Sequence, residues 1–461
     1  MYLARIAAFT LLLCSGCATV PERTQPPAID LPAKWTGTAG KNNQPVGAWL
    51  IDFTDPQLER VIQEALANNP NLRASAARID QAIAEARITG AQLSPQSALG
   101  LGGSRQRIST FGPQSTGGIY FENFNLDLNL SWELDLWGRL RNQHKSALAQ
   151  TDASEADYQA ARLSLAAQTA KAWFNFTEAS AQVELARKNA KAYQETLKAL
   201  ESRYQRGLSN GLELRQIRTE VANARAAVAT RQRAQDLAAR SVEILLGRYP
   251  SASIEASSQW PQLPKAIPAG IPSELLLRRP DLIAAERRLA ASEKQLSAAR
   301  KEWLPRLSLT TAGGTASSQF KDLLNSDFRV GSLAGNLTQP IFQGGRIRAS
   351  IDRSHSLREQ AAANYHNVTL QAFLEVETTL AADALLRRES KQLQRAAAEA
   401  EQAETLAWKR YSNGTLDFLN VLSSQRAAAS ARSAYLTIRN RLVQNRIDLH
   451  LALGGPLHRE K

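Results

Sequence analysis

The chain runs from Gly138 to Gly207, and again from Gly345 to Gly414, without an intervening glycine or proline. Glycine and proline are the residues that interrupt helices most strongly, so each stretch can form one continuous helix. At 1.5 Å per residue, such a helix would be roughly 100 Å long. Because globular helices average about 11 to 12 residues, we predict coiled-coil-like helices that pack against partners along their length.

Apolar residues recur along these stretches at coiled-coil spacing. Steps of three and four residues separate the members of two series: Tyr193, Leu197, Leu200, Tyr204; and Leu214, Ile217, Val221, Ala224, Val228. Such a stripe is typical of a helix that faces a partner helix. On the helices alone, a fibrous coiled-coil protein without a pore would be the favoured interpretation.

Four short motifs occur twice in the same order. The second copy lies 210 residues after the first at one motif and 207 residues after it at the others: Pro70–Leu72 with Pro280–Leu282, Gly138–Arg141 with Gly345–Arg348, Arg203–Gly207 with Arg410–Gly414, and Leu246–Gly247 with Leu453–Gly454. The order and spacing indicate two tandem structural repeats. Each repeat is predicted to contain a helix of about 25 residues, two strands and a long helix hairpin.

The segment from Asn123 to Trp137 alternates apolar and polar side chains. This period of two predicts a strand with one apolar and one polar face. Three weaker, Gly/Ser/Thr-rich candidates accompany it, at about 97–109, 306–317 and 327–339. Glycine-rich loops would join the four strands into two hairpins, at 110–119 and 313–326.

The same alternation is typical of soluble sandwiches, with the polar face outward, and of transmembrane barrels, with the apolar face toward lipid. Four strands cannot close a barrel, and unpaired strand edges are not tolerated in hydrocarbon. If the strands span a membrane, several chains must share one barrel. Aromatic residues near the strand ends match the girdles of such barrels: Tyr120, Phe121, Trp132, Trp137 and Trp303.

The N-terminus has the features of an export signal. Residues 1–16 contain one arginine, an apolar run and terminal small residues, which predicts a secretory signal peptide. The segment Leu13–Cys17 resembles a bacterial lipobox, in which Cys17 carries an S-diacylglycerol and an N-acyl group. By analogy with bacterial lipoproteins, Ala18 directly after this cysteine, rather than aspartate, would direct the protein to the outer membrane. The alternative is an ordinary signal peptide with a spare cysteine.

Composition excludes several function classes. The formal net charge of +13 can indicate nucleic-acid binding, but an exported chain does not meet nucleic acid. Both cysteines, Cys14 and Cys17, lie near the N-terminus, and the five histidines show no zinc-site spacing. The sequence has no phosphate loop and no nucleophile beside a base. We therefore predict neither an enzyme nor a metal site, and no cofactor besides the lipid on Cys17.

A proline-rich segment, 248–280, separates the two copies as an ordered linker. The predicted organisation begins with a signal peptide at 1–16 and a lipid-anchored tether at 17–50. The first repeat covers 51–247, with a strand hairpin at 97–137 and a helix hairpin at 139–246. After the linker at 248–280, the second repeat covers 281–454, with a strand hairpin at 306–339 and a helix hairpin at 346–453, and a tail follows at 455–461.

Longer motifs occur in a fixed order along nearly the whole mature chain: Leu31–Trp35, Asp55–Leu58, Asn69–Leu72, Ser131–Arg139, Ile271–Leu282 and Gln339–Arg346. Together they resemble the TolC-like outer membrane factors, and in particular the lipoprotein branch of efflux-pump channels (NodT/OprM-like). The resemblance implies an α+β membrane protein, a homotrimer whose chains each give four strands to a shared twelve-stranded barrel. It further implies a long α-helical barrel in the periplasm, an equatorial belt from the linker and the termini, and a lipid-anchored protein in the outer membrane of a Gram-negative bacterium.

The resemblance assigns the helix-hairpin tips to contact with a periplasmic membrane-fusion adaptor. Through the adaptor the channel would work with an inner-membrane pump of RND, MFS or ABC type. The matching residues are Arg203, Tyr204, Gly207, Leu208, Ser209, Asn210, Arg410, Tyr411, Gly414, Thr415, Leu416 and Asp417. Gly207 and Gly414 also have a physical role, since a tight turn between antiparallel helices favours a residue that accepts positive φ.

Beyond the second tip, relatives narrow the tunnel with apolar and acidic side chains. The matching positions are Leu419, Asn420 and Ser423. Since Asn420 and Ser423 stand where relatives often carry aspartate, we predict a neutral constriction that traps cations less strongly. The alternative is that Leu419 is an ordinary residue of the helix seam.

Three functions follow as hypotheses. The first is a passive exit duct of a tripartite efflux system for drugs, aromatic compounds or metals, opened by iris-like movement of the tips. The second is the exit duct of a type I protein secretion system. The third is a lipid-anchored coiled-coil protein without a pore, against which the alternation from Asn123 to Trp137 argues.

Overall fold

The computed structural model describes residues 35, 53, 55–109, 118–256, 260, 261, 263 and 275–455. Contacts divide them into two units: the first contains residues 78–155 and 284–366, and the second contains the rest. Each copy of the repeat contributes to both units. Cys17 and the predicted signal peptide lie outside the described residues, as do all of the tether except Trp35 and all of the tail except Gly455.

Eight helices occur in the described ranges. They are α1 Pro56–Asn68, α2 Pro70–Ala91, α3 Arg139–Gln205, α4 Gly211–Leu245, α5 Leu275–Arg278, α6 Pro280–Arg300, α7 Arg346–Ser412 and α8 Phe418–Ala452. The helices α3 and α7 contain 67 residues each, so the prediction of two uninterrupted long helices is confirmed. In the described part of the chain, no helix carries an apolar stretch long enough to cross a membrane.

Asn69 separates the two helices, α1 and α2, that precede the first strand. This residue has an extended ψ of 123°, the conformation favoured before a proline. Its side-chain oxygen accepts the N–H groups of Asn71 and Leu72 at 2.9 and 3.3 Å, which caps α2. The predicted helix of about 25 residues corresponds to α2, with 22 residues, and to α6 in the second copy, with 21 residues, whereas α1 was not predicted.

Four strands form one antiparallel sheet in the order β1-β2-β3-β4. They are β1 Gln96–Ile108, β2 Ile119–Leu134, β3 Arg306–Ser317 and β4 Arg329–Thr338. The central pair β2 and β3 joins the two hairpins, with Leu128 of β2 opposite Leu99 of β1 and Gly313 of β3. Within the described residues, β1 and β4 form the two edges of this sheet.

The two faces of the sheet differ in polarity. The register places exposed leucines of three strands on one face: Leu99, Leu101, Leu128, Leu130, Leu333 and Leu337. The other face carries a row of polar residues on β2, in which the amides of Asn125 and Asn129 both donate to the Asp127 carboxylate. The predicted alternation of apolar and polar faces is thus confirmed.

Glycines border the polar row. Gly100 of β1 and Gly314 of β3 stand opposite Asp127. A Cβ atom at Gly314 would lie 2.0 Å from the carbonyl oxygen of Leu126, so the strands approach too closely for any other residue. The predicted strand at about 306–317 is confirmed by β3, so only the predicted start of the loop, at Gly313, is wrong. In the other hairpin, residues 110–117 lie outside the described residues.

Within the first unit, side chains at the helix-linked end of the sheet bond to neighbouring segments of the chain. The indole N–H of Trp132 donates to the Leu93 carbonyl at 2.9 Å, and that of Trp137 donates to the Pro305 carbonyl at 2.8 Å. The Asp135 carboxylate accepts the backbone N–H of Leu140 at 3.0 Å. This bond satisfies one of the free N–H groups at the start of α3.

The second unit has its own apolar core. Trp173, Phe174, Val242 and Ile447 are buried in one cluster that brings α3, α4 and α8 together. The start of the linker is attached to this unit through Glu243, whose carboxylate accepts the N–H groups of three consecutive linker residues: Ala252 at 2.7 Å, Ser253 at 2.7 Å and Ile254 at 3.3 Å. Burial alone would raise the pKa of Glu243, but these hydrogen bonds lower it below its ordinary value.

Candidate functional site at the helix-hairpin tips

The first hairpin turns at Gly207, which has a φ of +73°. Its N–H donates to the Tyr204 carbonyl at 2.9 Å, and the N–H of Leu208 donates to the Arg203 carbonyl at 2.9 Å. These two bonds make up a Schellman motif, which satisfies the last carbonyls of α3. A glycine is favoured at this position because other residues are strained at positive φ.

The second hairpin repeats this geometry at Gly414, which has a φ of +75°. The N–H of Gly414 donates to the Tyr411 carbonyl at 2.9 Å, and the N–H of Thr415 donates to the Arg410 carbonyl at 3.0 Å. The backbone bonds of the two turns therefore correspond one to one. The Gly and the Arg-Tyr pair of the repeated motif occupy the same positions in both.

The helices that leave the turns begin differently. Asn210 caps α4, because its side-chain oxygen accepts the Glu213 N–H at 2.9 Å. The hydroxyl of Ser209 donates to the Glu213 carboxylate at 2.5 Å and fixes that side chain. Asp417 stands at the equivalent position before α8, but its side chain makes no capping hydrogen bond.

Tyr411 joins the two tips. Its side chain is only 6% exposed, and its hydroxyl donates to Glu213 at 3.3 Å across the two hairpins. The Arg203 guanidinium lies over its ring, 4.8 Å from the centroid, and the ring of Phe418 lies 5.6 Å away. The equivalent residue of the first copy, Tyr204, is 48% exposed.

The surroundings of Tyr411 keep its phenol protonated. Burial raises the pKa of Tyr411 above its ordinary value of 10.0, and the Glu213 carboxylate raises it further, whereas Arg203 acts in the opposite direction. A protonated phenol is a hydrogen-bond donor, and an ionised carboxylate only accepts. The Tyr411–Glu213 hydrogen bond is therefore compatible with physiological pH.

An apolar cluster lies beneath these polar contacts. Leu200, Ile217 and Val221 of the predicted seam are buried in it, together with Phe418 of the second copy. The seam prediction is confirmed for these residues. Tyr204, the last residue of its first series, lies outside the cluster because it faces solvent in the final turn of α3.

Polar bonds between the copies continue along the hairpins. Arg426 of α8 forms an ion pair with Glu220 of α4, and the Gln425 amide donates to the Thr196 hydroxyl at 3.1 Å. The hydrogen bond that Arg426 donates to the Glu220 carboxylate raises the pKa of Arg426, so its guanidinium stays protonated. These contacts fix the second hairpin against the first near the tips.

The residues predicted to form the constriction share one exposed face of α8. Leu419 is 59% exposed, and Asn420 and Ser423 are also exposed. Phe418 and Val421 point to the opposite side and are buried. This face therefore presents one large apolar group and two neutral polar groups, and no carboxylate among these three positions.

The predicted tip residues fall into two groups. The first consists of Ser209, Asn210 and Tyr411, which bond to Glu213, and of Arg203, which lies over the Tyr411 ring. The second is exposed at the turns and consists of Tyr204, Gly207, Leu208, Arg410, Gly414, Thr415 and Asp417, with Leu416 half-buried beside the apolar cluster.

Sequence reasoning did not identify Glu213 or Phe418 as part of this site. The spacing Asn210-x-x-Glu213 is a capping-box pattern and could have drawn attention to Glu213. No sequence signal links Glu213 to Tyr411, because the two are 198 residues apart. Within the described residues, no group of histidine, cysteine and carboxylate side chains is arranged to hold a metal ion.

Comparison with known proteins supplies the family. The family model described as outer membrane efflux protein matches the chain twice, over residues 61–248 and 271–455. A probable efflux pump outer membrane protein of Pseudomonas putida, SepC, is 32% identical over 457 residues, covering 96% of this chain and 94% of that protein. The cation efflux system protein CusC of Escherichia coli is 31% identical over 453 residues, covering 96% of each chain.

A solved structure agrees. The crystal structure of a membrane protein from Pseudomonas aeruginosa is similar with a TM-score of 0.87 and 32% identity, covering 95% of this chain and 98% of that chain. The two matched segments of the family model coincide with the two copies that the repeated motifs define. The chain belongs to the outer membrane efflux protein family.

Proposed function

We propose that this protein is the outer membrane exit duct of a tripartite efflux system, a passive homotrimeric channel for small toxic compounds. The observation that carries the proposal is the four-stranded sheet, with exposed leucines on one face and the Asn125–Asp127–Asn129 row on the other. Lipid would contact the leucines, and water would contact the polar row. The names of SepC and CusC favour efflux over protein secretion.

The two edges of the sheet support a barrel that several chains share. A sheet with edges at β1 and β4 cannot remain open in hydrocarbon, because its unpaired N–H and C=O groups would have no partner. Pairing β1 of one protomer with β4 of the next closes the sheet. The family resemblance implies three copies, which would give a twelve-stranded barrel.

The tips then form the periplasmic gate and the docking surface for an adaptor coupled to an inner-membrane pump. Tyr411 and Glu213 hold the two hairpins together, and the exposed face of Leu419, Asn420 and Ser423 lines the narrowest part of the tunnel. Opening separates the hairpins in an iris-like movement. The anchor is the acylated Cys17, at the end of the tether 17–50.

The experiment is a conductance measurement of the purified protein in planar bilayers. We expect discrete channels that Tyr411→Phe and Glu213→Ala open to a larger conductance, because the first substitution removes the donor and the second the acceptor of the bond between the hairpins. Tyr204→Phe is the matched control and leaves the conductance unchanged. Strong block by trivalent cations from the tip side would contradict the neutral constriction.

Complementary tests concern the cell. Deletion of the gene should raise sensitivity to solvents, drugs or metals, and a defect in protein secretion alone would contradict efflux. Cys17→Ala should abolish acyl labelling, while barrel insertion persists. An absence of any conductance in the purified protein would instead support a coiled-coil protein without a pore.

A further inference from the structure

The apolar face of the sheet has a defined height. It extends along β2 from Leu134 to Phe124, about 33 Å at 3.3 Å per residue. With a strand tilt of about 40°, this corresponds to roughly 25 Å, the height of the lipid-facing band of an outer-membrane barrel. This step rests on the proposed function, in which the face meets lipid.

Arginines lie on the same face just past this band. The register pairs Arg105 with Glu122 and Arg107 with Tyr120, two and four residues beyond Phe124 on β2. Arg329, the first residue of β4, lies at the same end of the sheet and on the same face, since its partner Thr315 pairs with Leu126. This end is the one remote from the helices, because α2 and α3 attach to the opposite ends of β1 and β2.

Arg105 and Arg107 converge on one aromatic ring. Their guanidinium carbons lie 4.6 and 5.6 Å from the centroid of the Tyr120 ring. Glu122 lies 3.3 Å from Arg105 and balances one of the two positive charges. Two cations held this close repel each other, so the arrangement gains most when an additional anion binds between them.

The guanidinium groups of Arg105 and Arg107 indicate which anion would bind. A guanidinium has five N–H donors in a planar fork that fits phosphate oxygens in bidentate fashion. The Arg105 side chain is 65% exposed, so its donors are accessible. We infer that Arg105, Arg107 and Tyr120 form a binding site for the phosphate group of a lipid headgroup in the outer leaflet. Arg329 adds positive charge at the same end of the sheet, and the leucines below contact the acyl chains.

The test measures binding of diphosphoryl lipid A to the purified full-length protein by native mass spectrometry and by thermal stabilisation. We expect the wild type to bind this lipid and to prefer it over the dephosphorylated form. Arg105→Gln/Arg107→Gln should weaken binding at least about tenfold, because several charge-assisted hydrogen bonds are lost. The matched control Arg215→Gln/Arg225→Gln removes two exposed charges from α4 and should bind like the wild type.

Two further measurements show whether a negative result contradicts the lipid site or the proposed function. Inorganic phosphate at the same concentration should not stabilise the protein, and equal stabilisation by it would overturn a lipid site. Equal lipid binding by Arg105→Gln/Arg107→Gln and the wild type would also overturn it. Conductance of the same samples distinguishes the two proposals: an absence of channels contradicts the proposed function, whereas normal channels with unchanged lipid binding contradict only the lipid site.

Discussion

The two hairpin tips share one backbone and differ in their side chains. Gly207 and Gly414 hold nearly the same positive φ and support the same pair of hydrogen bonds. Yet Tyr411 is buried where Tyr204 is exposed. Phe418 begins α8 in the apolar cluster, whereas its counterpart Gly211 begins α4 without a side chain.

The difference shows which properties of a repeat are local. The turn depends on a glycine and on the last carbonyls of one helix, so both copies retain it. Burial depends on which residues of the other copy pack against a position, so it can differ between copies. The first tip provides Arg203 and Glu213, and the second provides the aromatic ring between them.

The largest effect is expected when the buried aromatic ring of the second tip is removed. Phe418→Ala should lower the free energy of unfolding by about 3 to 5 kcal/mol, because a buried ring leaves a cavity. Leu208→Ala, at an exposed position of the first tip, should change it by less than about 0.5 kcal/mol. Thermal unfolding in detergent measures both. Equal losses of unfolding free energy in the two variants would contradict the difference in burial between the two tips.

The shared turn predicts equal effects at the two tips. Gly207→Ala and Gly414→Ala should each cost about 1 to 2 kcal/mol, the strain of a Cβ atom at positive φ. Neither Cβ atom would meet another atom within 4 Å, so a steric clash should not make one substitution more costly than the other. Gly247→Ala should cost more in the same assay, because its Cβ atom would lie 2.8 Å from the Asn68 carbonyl oxygen.

The helix caps should respond unequally. Asn210→Ala removes a capping hydrogen bond and should cost about 1 kcal/mol. Asp417→Ala removes no such bond from α8 and should cost less than about 0.5 kcal/mol. Unfolding of the two single variants gives the comparison. An equal cost would mean that Asp417 caps its helix as Asn210 does.

The smallest expected effect is a difference in stability at alkaline pH between the wild type and Tyr411→Phe. Because the folded pKa of Tyr411 lies above its unfolded value of about 10, its contribution to stability is fully present below pH 10 and is lost as pH rises through the folded pKa. The change is at most about 1.4 kcal/mol for each unit by which the pKa is raised. Unfolding midpoints of the wild type should therefore fall more steeply above pH 10 than those of Tyr411→Phe. Parallel curves would contradict a buried, neutral phenol.

Local rules predicted much of this fold. The absence of glycine and proline located α3 and α7, and the alternation from Asn123 located β2. The same rules could not show why residue 314 must be glycine, because its close approach to the Leu126 carbonyl oxygen arises only when β3 pairs with β2.

At the tips, sequence located the turns but not the bond between Tyr411 and Glu213. Nothing local distinguishes the buried tyrosine of the second copy from the exposed tyrosine of the first. The distinction arises only when the two copies pack together.

The bonds between the copies impose an order of assembly. Tyr411 and Glu213 are 198 residues apart, Gln425 and Thr196 are 229 apart, and Asn440 and Glu178 are 262 apart. A chain that emerges N-terminus first completes the hairpin of α3 and α4 long before its partner is available. The apolar residues around Ile217 then remain uncovered, an aggregation-prone state that slows folding and makes chaperone protection valuable.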